Sequence, residues 1–360
     1  MTPLSDAAML ERLQPPTGKI RLLIDTDTHN EIDDQFAIAW ALMSQDVFEI
    51  EGVVAEPYSH RHHREPLIAA YDALAAGQEP PPVALRYSVI AQRMLDAGKD
   101  PRHVVFVDPD EGMELSYQEI LKVFELMGED PAGRVHRGAA DYMTSLDAPI
   151  GCDAVDYIIE CAMADDERPL YIAAIGCVTN IASAIVKAPE IIDRIVVTWT
   201  SAYPSWVTHM SNAASLNLVQ DVVASQYLMD CGVPHVYLPG YYIGEQLKIS
   251  QPEMEQWVKG QGAIGDYLYH LYENNPIYPM FGLYDHYGRT WVIWDLINFA
   301  WLLNLDWVPT QTVKSPLLTD DLYWQHDESR HWMREAVSIN RDAIFRDFFT
   351  KLAAHAKATA

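Results

Sequence analysis

The chain is poor in cysteine and in basic residues. Its 360 residues include four cysteines and no C-x-x-C pair. A chain of this length can bury a large core without disulfides, so we expect reduced thiols rather than a disulfide scaffold. Lys and Arg number 25 against 51 Asp and Glu, giving a formal net charge of −26 at pH 7. This charge argues against a nucleic-acid or membrane partner, because neither polyanion is attracted to an acidic surface.

The chain also lacks long apolar runs. No uninterrupted apolar segment approaches the ~20 residues that span a bilayer, and the N-terminus lacks a basic stretch followed by an apolar one. We therefore expect a cytoplasmic protein. Internal repeats, low-complexity tracts and an interdomain linker are absent from the sequence as well. The sequence predicts a single domain over residues 1–360, with 1–19 as an N-terminal extension.

What the chain does have is an alternation of apolar, strand-like runs and helical patterns, typical of parallel β-α-β units. The predicted strands are residues 21–24, 50–55, 133–138, 169–176, 195–200 and 236–238. The predicted helices are residues 33–44, 67–76, 112–127, 154–164, 180–187 and 340–356. The pattern predicts the α/β class, a single domain with a mainly parallel, Rossmann-like open sheet flanked by helices. Ligands of such sheets bind at the carboxyl ends of the strands.

Four aspartates crowd the end of the first predicted strand. Asp25 and Asp27 follow its apolar run, and Asp33 and Asp34 open the next helix after the polar residues 28–32. Four carboxylates this close repel one another, which costs folding free energy unless a cation or ligand compensates. Carboxylate oxygens are ligands of Ca²⁺ and Mg²⁺, so the cluster predicts a catalytic hard-cation site. Helix capping or solvation of individual aspartates is the alternative.

The cluster resembles the motif of nucleoside hydrolases of the inosine–uridine type, a strand followed by D-x-D-P-G-x-D-D. The residues that match its four aspartates are Asp25, Asp27, Asp33 and Asp34. Residues 28–32 (THNEI) replace the family's P-G-x and lengthen the loop by two residues. The sequence is therefore similar to a divergent branch of the family, in which the longer loop could contribute to the site.

Three later blocks follow the family's order. IGCVTNIASAI, from Ile175, resembles G-P-L-T-N-I-A, and SLNLVQDVVAS, from Ser215, resembles E-F-N-x-x-x-D-P-x-A-A with Ser in place of Glu. VIWDLINFAWLL, from Val292, resembles the late helix that supplies a metal carboxylate. The resemblance covers roughly residues 20–300 and implies a nucleoside-hydrolase-like fold.

The resemblance implies a nucleosidase that cleaves the N-glycosidic bond of a ribonucleoside to free base and ribose, through an oxocarbenium-like transition state. The implied ligands of a calcium ion are Asp27, Asp34, the carbonyl of Ile175 and Asp295. Asp27 would also deprotonate the attacking water, Asp33 and Asn217 would contact the sugar, and Asp25 would orient the cluster from behind. A homo-oligomer, either a dimer or a tetramer, is implied as well.

The group that activates the leaving base is open. Many family members place a His just before the last metal aspartate, but here that residue is Trp294, which can stack on a base and cannot act as an acid at neutral pH. The candidates from a His-rich loop and an aromatic stretch are His60, His62, His63, Tyr284, His286 and Tyr287. Alternatively, the loop histidines are simply exposed to solvent and the residues of the aromatic stretch only pack in the core. The three loop histidines could also bind a separate zinc ion.

Three other functions stay open on the sequence. The first is hydrolysis of another ribosyl or glycosyl substrate. The second is non-catalytic, calcium-dependent binding of a nucleoside or sugar, which the departures at Trp294 and Ser215 favour. The third is a phosphatase of the haloacid dehalogenase type, which also begins with D-x-D after a strand but has no role for Asp33 and Asp34.

Overall fold

The computed structural model describes residues 4–283 and 289–359. The strands are β1 (Ile20–Thr26), β2 (Phe48–Ala55), β3 (Val135–His136), β4 (Leu170–Ala174), β5 (Ile195–Ser201), β6 (His235–Pro239), β7 (Lys248–Ser250), β8 (Thr290–Val292), β9 (Thr310–Lys314), β10 (Leu317–Leu318), β11 (Trp324–Gln325) and β12 (Trp332–Ala336).

The α-helices alternate with these strands. They are α1 (Asp6–Arg12), α2 (Asp33–Leu42), α3 (Arg64–Ala75), α4 (Ser88–Asp96), α5 (Pro109–Met127), α6 (Asp153–Ala162), α7 (Thr179–Lys187), α8 (Leu216–Val219), α9 (Val222–Asp230), α10 (Gln251–Trp257), α11 (Gly262–Glu273), α12 (Leu296–Leu303) and α13 (Arg341–Thr359). Short 3₁₀ helices cover Arg61–His63, Pro82–Tyr87, Pro101–His103, Pro189–Asp193, Gly244–Gln246 and Leu305–Trp307.

Eight strands form one central sheet in the order β3-β2-β1-β4-β5-β6-β12-β9. All neighbours in it are parallel except β12 and β9, which are antiparallel. Two small antiparallel pairs, β7 with β8 and β10 with β11, lie outside it. The predicted fold class, an α/β domain with a mainly parallel central sheet flanked by helices, is confirmed.

Both faces of the sheet are covered, which explains the continuous apolar runs of its strands. Successive side chains of β1 point to opposite faces. Leu22 and Ile24 pack with Phe36 of α2 in one core, whereas Leu23 packs with Ile181 of α7 in the other. All ten residues of α2 are buried, so the first turn of this helix holds its aspartates inside the protein.

The sequence patterns located the strands β1 to β6 and the helices α2, α3, α5, α6 and α7 to within a few residues, but not the helices α4, α8 and α9. They missed β12, which joins the central sheet beside β6, and β9 at its edge. These short strands carry mixed polar residues, so their periodicity is weak. The N-terminal segment packs against this part of the sheet, where the Arg334 Nε donates to the carbonyl of Leu13 at 2.6 Å. No helix within 4–283 or 289–359 has the length and apolar character needed to cross a membrane.

Candidate active site

Asp25 and Asp27 lie at the carboxyl end of β1, in the middle of the sheet. Asp25 pairs with Val54 of β2 on one side and with Ala174 of β4 on the other. Both aspartates are buried. The carboxyl ends of these parallel strands meet where open α/β sheets bind their ligands, so the backbone alone directs both aspartates to a ligand site.

The loop of residues 28–32 carries the chain from β1 to α2. It turns through a hydrogen bond from the Asn30 N–H to the Asp27 carbonyl, 3.1 Å long. The half-buried Glu31 accepts a hydrogen bond from the indole N–H of Trp291 at 2.8 Å. Asn30 and Glu31 both line a cavity at this end of the sheet. The longer loop therefore contributes side chains to the site, as its departure from the family motif suggested.

Asp33 and Asp34, at the start of α2, converge with Asp295, which immediately precedes α12. Carboxylate oxygens of the three lie within 4.8 Å of one another, and all three side chains are buried. Asp34 Oδ1 accepts from the hydroxyl of Thr26 at 2.5 Å. Burial raises the pKa of each of the three carboxyls well above its usual range, and the neighbouring carboxylates raise it further.

This donor set fits a hard divalent cation. Oδ1 of Asp33, Oδ2 of Asp34 and both carboxylate oxygens of Asp27 are buried without a hydrogen-bond partner in the described part of the chain. Buried, unpaired carboxylates are costly, and oxygen ligands of this kind suit Ca²⁺ or Mg²⁺. Two of the calcium ligands implied by the family resemblance, Asp34 and Asp295, belong to the observed group of three carboxylates. The third member of that group is Asp33. The negative charge of Asp27 raises the pKa of all three carboxyls.

Ile175 follows β4 and lines the same cavity. Its N–H donates to the Asp25 carbonyl at 2.8 Å, and its carbonyl lies 3.4 Å from Nδ2 of Asn217. The next residue, Gly176, lies close to Asp27. A Cβ on Gly176 would lie 3.0 Å from the backbone nitrogen of Asp27 and 3.1 Å from its Cγ. A larger residue at this position would push Asp27 by a few tenths of an ångström, so glycine favours the close approach of the two strand ends.

Glu56, which directly follows β2, is a site residue that the sequence patterns did not identify. Asn180 ties it to Asp25: the Asn180 Nδ2 donates to Asp25 Oδ1 at 3.0 Å, and the Asn180 N–H donates to Glu56 Oε1 at 2.8 Å. The Cys177 thiol donates to Glu56 Oε2 at 3.3 Å. Burial raises the pKa of both carboxyls. The signal in the sequence was an acid directly after an apolar strand, the same pattern that marks Asp25 and Asp27.

Asn217 and Ser215 line the cavity from the segment that resembles the family's sugar-binding block. Asn217, in α8, donates from Nδ2 to the Thr200 carbonyl at 3.0 Å. The Ser215 hydroxyl accepts from the Ala202 N–H at 2.9 Å and so serves the loop after β5. Asn217 is therefore held at the cavity wall, while Ser215 is bound within the chain.

Most of the side chains described above line one cavity of about 560 Å³; Asp25, Asp27 and Glu56 lie behind this lining and are not part of it. Small-molecule sites commonly have volumes of roughly 300–1,000 Å³. The predicted site residues that line it are Asp33, Asp34, His60, His62, His63, Ile175, Asn217, Trp294 and Asp295. The candidates Tyr284, His286 and Tyr287 lie outside the described residues. Residues far apart in the sequence thus meet at one concave site.

The three loop histidines differ in their surroundings. His60 is 8% exposed, and neither of its ring nitrogens has a hydrogen-bond partner among residues 4–283 and 289–359. Burial, reinforced by His62, lowers the pKa of His60 to about 4. Nδ1 of His63 lies 2.8 Å from the Tyr87 hydroxyl, and His62 is exposed. Among the described residues, the side chains close enough together to hold a metal ion are Asp33, Asp34 and Asp295, and the three histidines do not form such a group.

The chain is similar to known proteins in sequence and in fold. A family model described as inosine-uridine preferring nucleoside hydrolase matches residues 22–345. An uncharacterized protein of Schizosaccharomyces pombe is 38% identical over 88 residues, which are 24% of this chain and 28% of that protein. The chain therefore aligns with less than a third of the length of that relative.

Solved structures share the fold. A purine-preferring ribonucleoside hydrolase from Gardnerella vaginalis has a TM-score of 0.61 at 19% identity, covering 94% of this chain and 99% of its own. The type III effector protein XopQ, solved with adenosine diphosphate ribose, has a TM-score of 0.55 at 16% identity, covering 99% of both chains. At these identities the structures establish the fold alone, whereas the family model extends over most of the sequence. The chain belongs to the inosine-uridine preferring nucleoside hydrolase family.

Proposed function

We propose that this chain is a calcium-dependent nucleosidase that hydrolyses the N-glycosidic bond of a ribonucleoside to free base and ribose. The observation that carries the proposal is the buried group of Asp33, Asp34 and Asp295 at the wall of a cavity of small-molecule size. Membership in a family of nucleoside hydrolases supports the type of bond cleaved.

The carboxylates of Asp27, Asp34 and Asp295 and the carbonyl oxygen of Ile175 would hold the calcium ion. The carboxylate of Asp33 lies beside them, within 4.8 Å of those of Asp34 and Asp295. When bound, calcium would offset part of the negative charge of the cluster, hold the ribose 2′- and 3′-hydroxyls and make a coordinated water more acidic. The all-oxygen donor set supports calcium over a transition metal.

Asp27 is the proposed base. Among the described residues neither of its oxygens has a hydrogen-bond partner, so one is available to accept a proton from the attacking water. Asp33 would accept a hydrogen bond from a ribose hydroxyl. Asp25, held by Asn180, would keep the end of β1 in place from behind, and Asn217 would orient the sugar.

The same carboxylates would stabilise the transition state. Departure of the base before full attack of water leaves positive charge on the ribose ring, and fixed negative charge beside the ring lowers the energy of that state. Trp294, which lines the cavity, would stack on the base; its ring meets Tyr241 edge-to-face at 5.8 Å, which fixes its orientation.

A second candidate is hydrolysis of a larger ribosyl substrate that carries an anionic group. Arg86 and Lys248 line the cavity although the chain as a whole has a net charge of −26. The structurally similar XopQ was solved with adenosine diphosphate ribose. Both observations support testing phosphorylated ribosides beside simple nucleosides.

The test is a panel of purine and pyrimidine ribonucleosides and adenosine diphosphate ribose, assayed for free base and reducing sugar with calcium and with a chelator. We expect calcium-dependent cleavage of at least one nucleoside and its loss in Asp27→Asn. Asp46→Asn, at an exposed turn, is the matched control and should keep activity. Calcium-dependent binding of nucleosides without any cleavage would instead identify a binding protein.

The resemblance to the family also supports a homo-oligomer, a dimer or tetramer, and we further propose that the protein acts in the cytoplasm. Light scattering of the purified protein and fractionation of cells would test these two parts of the proposal.

A further inference from the structure

The site as described has no acid where many relatives place one. Trp294 occupies that position, and the C–N bond can break only if the electron pair left on the base is stabilised. Several donors at the cavity are already engaged. The indole N–H of Trp291 bonds Glu31 at 2.8 Å, and the Tyr241 hydroxyl bonds the Ala214 carbonyl at 2.7 Å. Neither of these two groups is free to donate to the leaving base.

His60 is the loop histidine whose ring is free for a ligand. It lines the cavity, is 8% exposed and has both ring nitrogens without a hydrogen-bond partner in the described chain. Its neighbour His63 is engaged with Tyr87. A buried imidazole without a partner lowers stability, so its retention next to a cavity points to a ligand that completes its hydrogen bonds.

The backbone holds His60 firmly at the cavity. The preceding Ser59 is tied on both sides, by its N–H to Gln220 Oε1 at 2.6 Å and by its hydroxyl to the Val107 carbonyl at 2.8 Å. The His60 carbonyl accepts from the His63 N–H at 2.9 Å and so begins the 3₁₀ helix. The backbone that carries the ring is thus fixed at the cavity, which helps to position a catalytic hydrogen bond.

His60 also lies next to the loop that leads into the aspartate cluster. The backbone of Asn30 is close enough to its ring to favour the protonated form, although it makes no hydrogen bond of normal geometry. Burial and His62 outweigh this effect, so the ring is neutral at neutral pH. A neutral imidazole has one N–H donor and one nitrogen acceptor.

We propose that His60, as a neutral imidazole, donates a hydrogen bond to the departing base, an assignment that rests on the proposed nucleosidase function. The C1′–N bond breaks with its electron pair remaining on the base, and the oxygen of water bonds to C1′. One proton of that water passes to Asp27. The base takes a proton from solvent and Asp27 later returns its proton to solvent, so nucleoside and water give base and ribose. A neutral N–H donor acts in the same way on other enzymes that polarise a developing anion.

The experiment compares two substrates whose leaving groups differ. Inosine needs stabilisation of its departing base, whereas p-nitrophenyl β-D-ribofuranoside releases a phenolate that needs none. We expect His60→Phe to lower kcat for inosine by about 10²- to 10³-fold, as loss of an oriented donor does elsewhere. It should change kcat for the nitrophenyl riboside less than about threefold, and His60→Gln, which keeps a donor, should recover part of the inosine rate.

The controls separate this role from a structural one. Phe keeps the ring and removes only polar atoms that have no partner, so thermal stability should be unchanged or higher; His60→Ala serves if Phe does not fit. His103→Ala, at an exposed histidine away from the cavity lining, should leave both rates unchanged. If His60→Phe lowers kcat equally for both substrates, or for neither, the role of His60 is wrong but the nucleosidase proposal still stands. A wild-type protein that cleaves neither substrate would overturn the nucleosidase proposal and this assignment with it.

Discussion

Replacing Asp34 by Asn should make the metal-free protein more stable and abolish its response to calcium. Two unit charges 4.8 Å apart repel by roughly 3.5 kcal/mol at an effective dielectric constant of about 20. Three ionised carboxylates at that spacing would cost roughly 10 kcal/mol, as much as the whole stability of a typical domain. Without a cation they cannot all be ionised, which is why burial and mutual repulsion raise the pKa of each.

The free energy of unfolding of the metal-free Asp34→Asn protein should rise by between about 1 kcal/mol and about 3.5 kcal/mol, the repulsion of one full pair of charges. The entropy of unfolding for 360 residues is about 0.8 kcal/mol per degree, so the Tm should rise by about 1–5 °C. Asn keeps the acceptor for Thr26, whose hydroxyl lies 2.5 Å from Asp34 Oδ1, so only the charge is lost. In the wild type, calcium at 100 times its Kd adds about 2.7 kcal/mol, or about 3.5 °C.

The assay is differential scanning calorimetry of chelated protein with and without added calcium. We expect a calcium-dependent shift in the wild type and in Asp46→Asn, and none in Asp34→Asn. The reasoning fails if chelated Asp34→Asn melts below the wild type, or if calcium stabilises it as much as it stabilises the wild type. Elemental analysis of the purified proteins provides an independent measure of bound calcium.

Three further predictions concern other parts of the molecule. Asn217→Ala should raise KM for the cleaved riboside about 5- to 10-fold, the loss of about one hydrogen bond, and unchanged binding in calorimetry would contradict its sugar role. Trp40→Ala empties a fully buried site and removes the 2.8 Å bond to Asp347 that joins α2 to α13, so urea unfolding should show a loss of about 3–5 kcal/mol. Burial raises the pKa of Glu335 from 4.5 to about 7, so the folded state holds this proton more tightly and stability falls as pH rises from about 5 to about 7. In urea titrations at pH 5 to 8, Glu335→Gln should reduce the loss of stability with rising pH. An unchanged dependence of stability on pH would show that other groups cause the loss.

The sequence by itself determined six of the eight strands of the central sheet and the aspartate cluster at the end of β1. Apolar runs with turn signals located β1, β2, β4 and β5, because strands buried on both faces have to be apolar throughout. The four aspartates after β1 could be recognised since their mutual repulsion is costly whatever the fold. Asp295 was found only through its resemblance to the family, because one aspartate before an apolar helix carries no charge pattern of its own.

Only the tertiary structure decided which side chains meet. It placed Asp33 in the group with Asp34 and Asp295, because the first turn of the buried helix α2 aims both of its aspartates at the start of α12. It brought Glu56 beside Asp25 through the register of two adjacent strands. It also singled out His60 among three neighbouring histidines, since burial and the absence of hydrogen-bond partners depend on packing, which a local sequence pattern does not record.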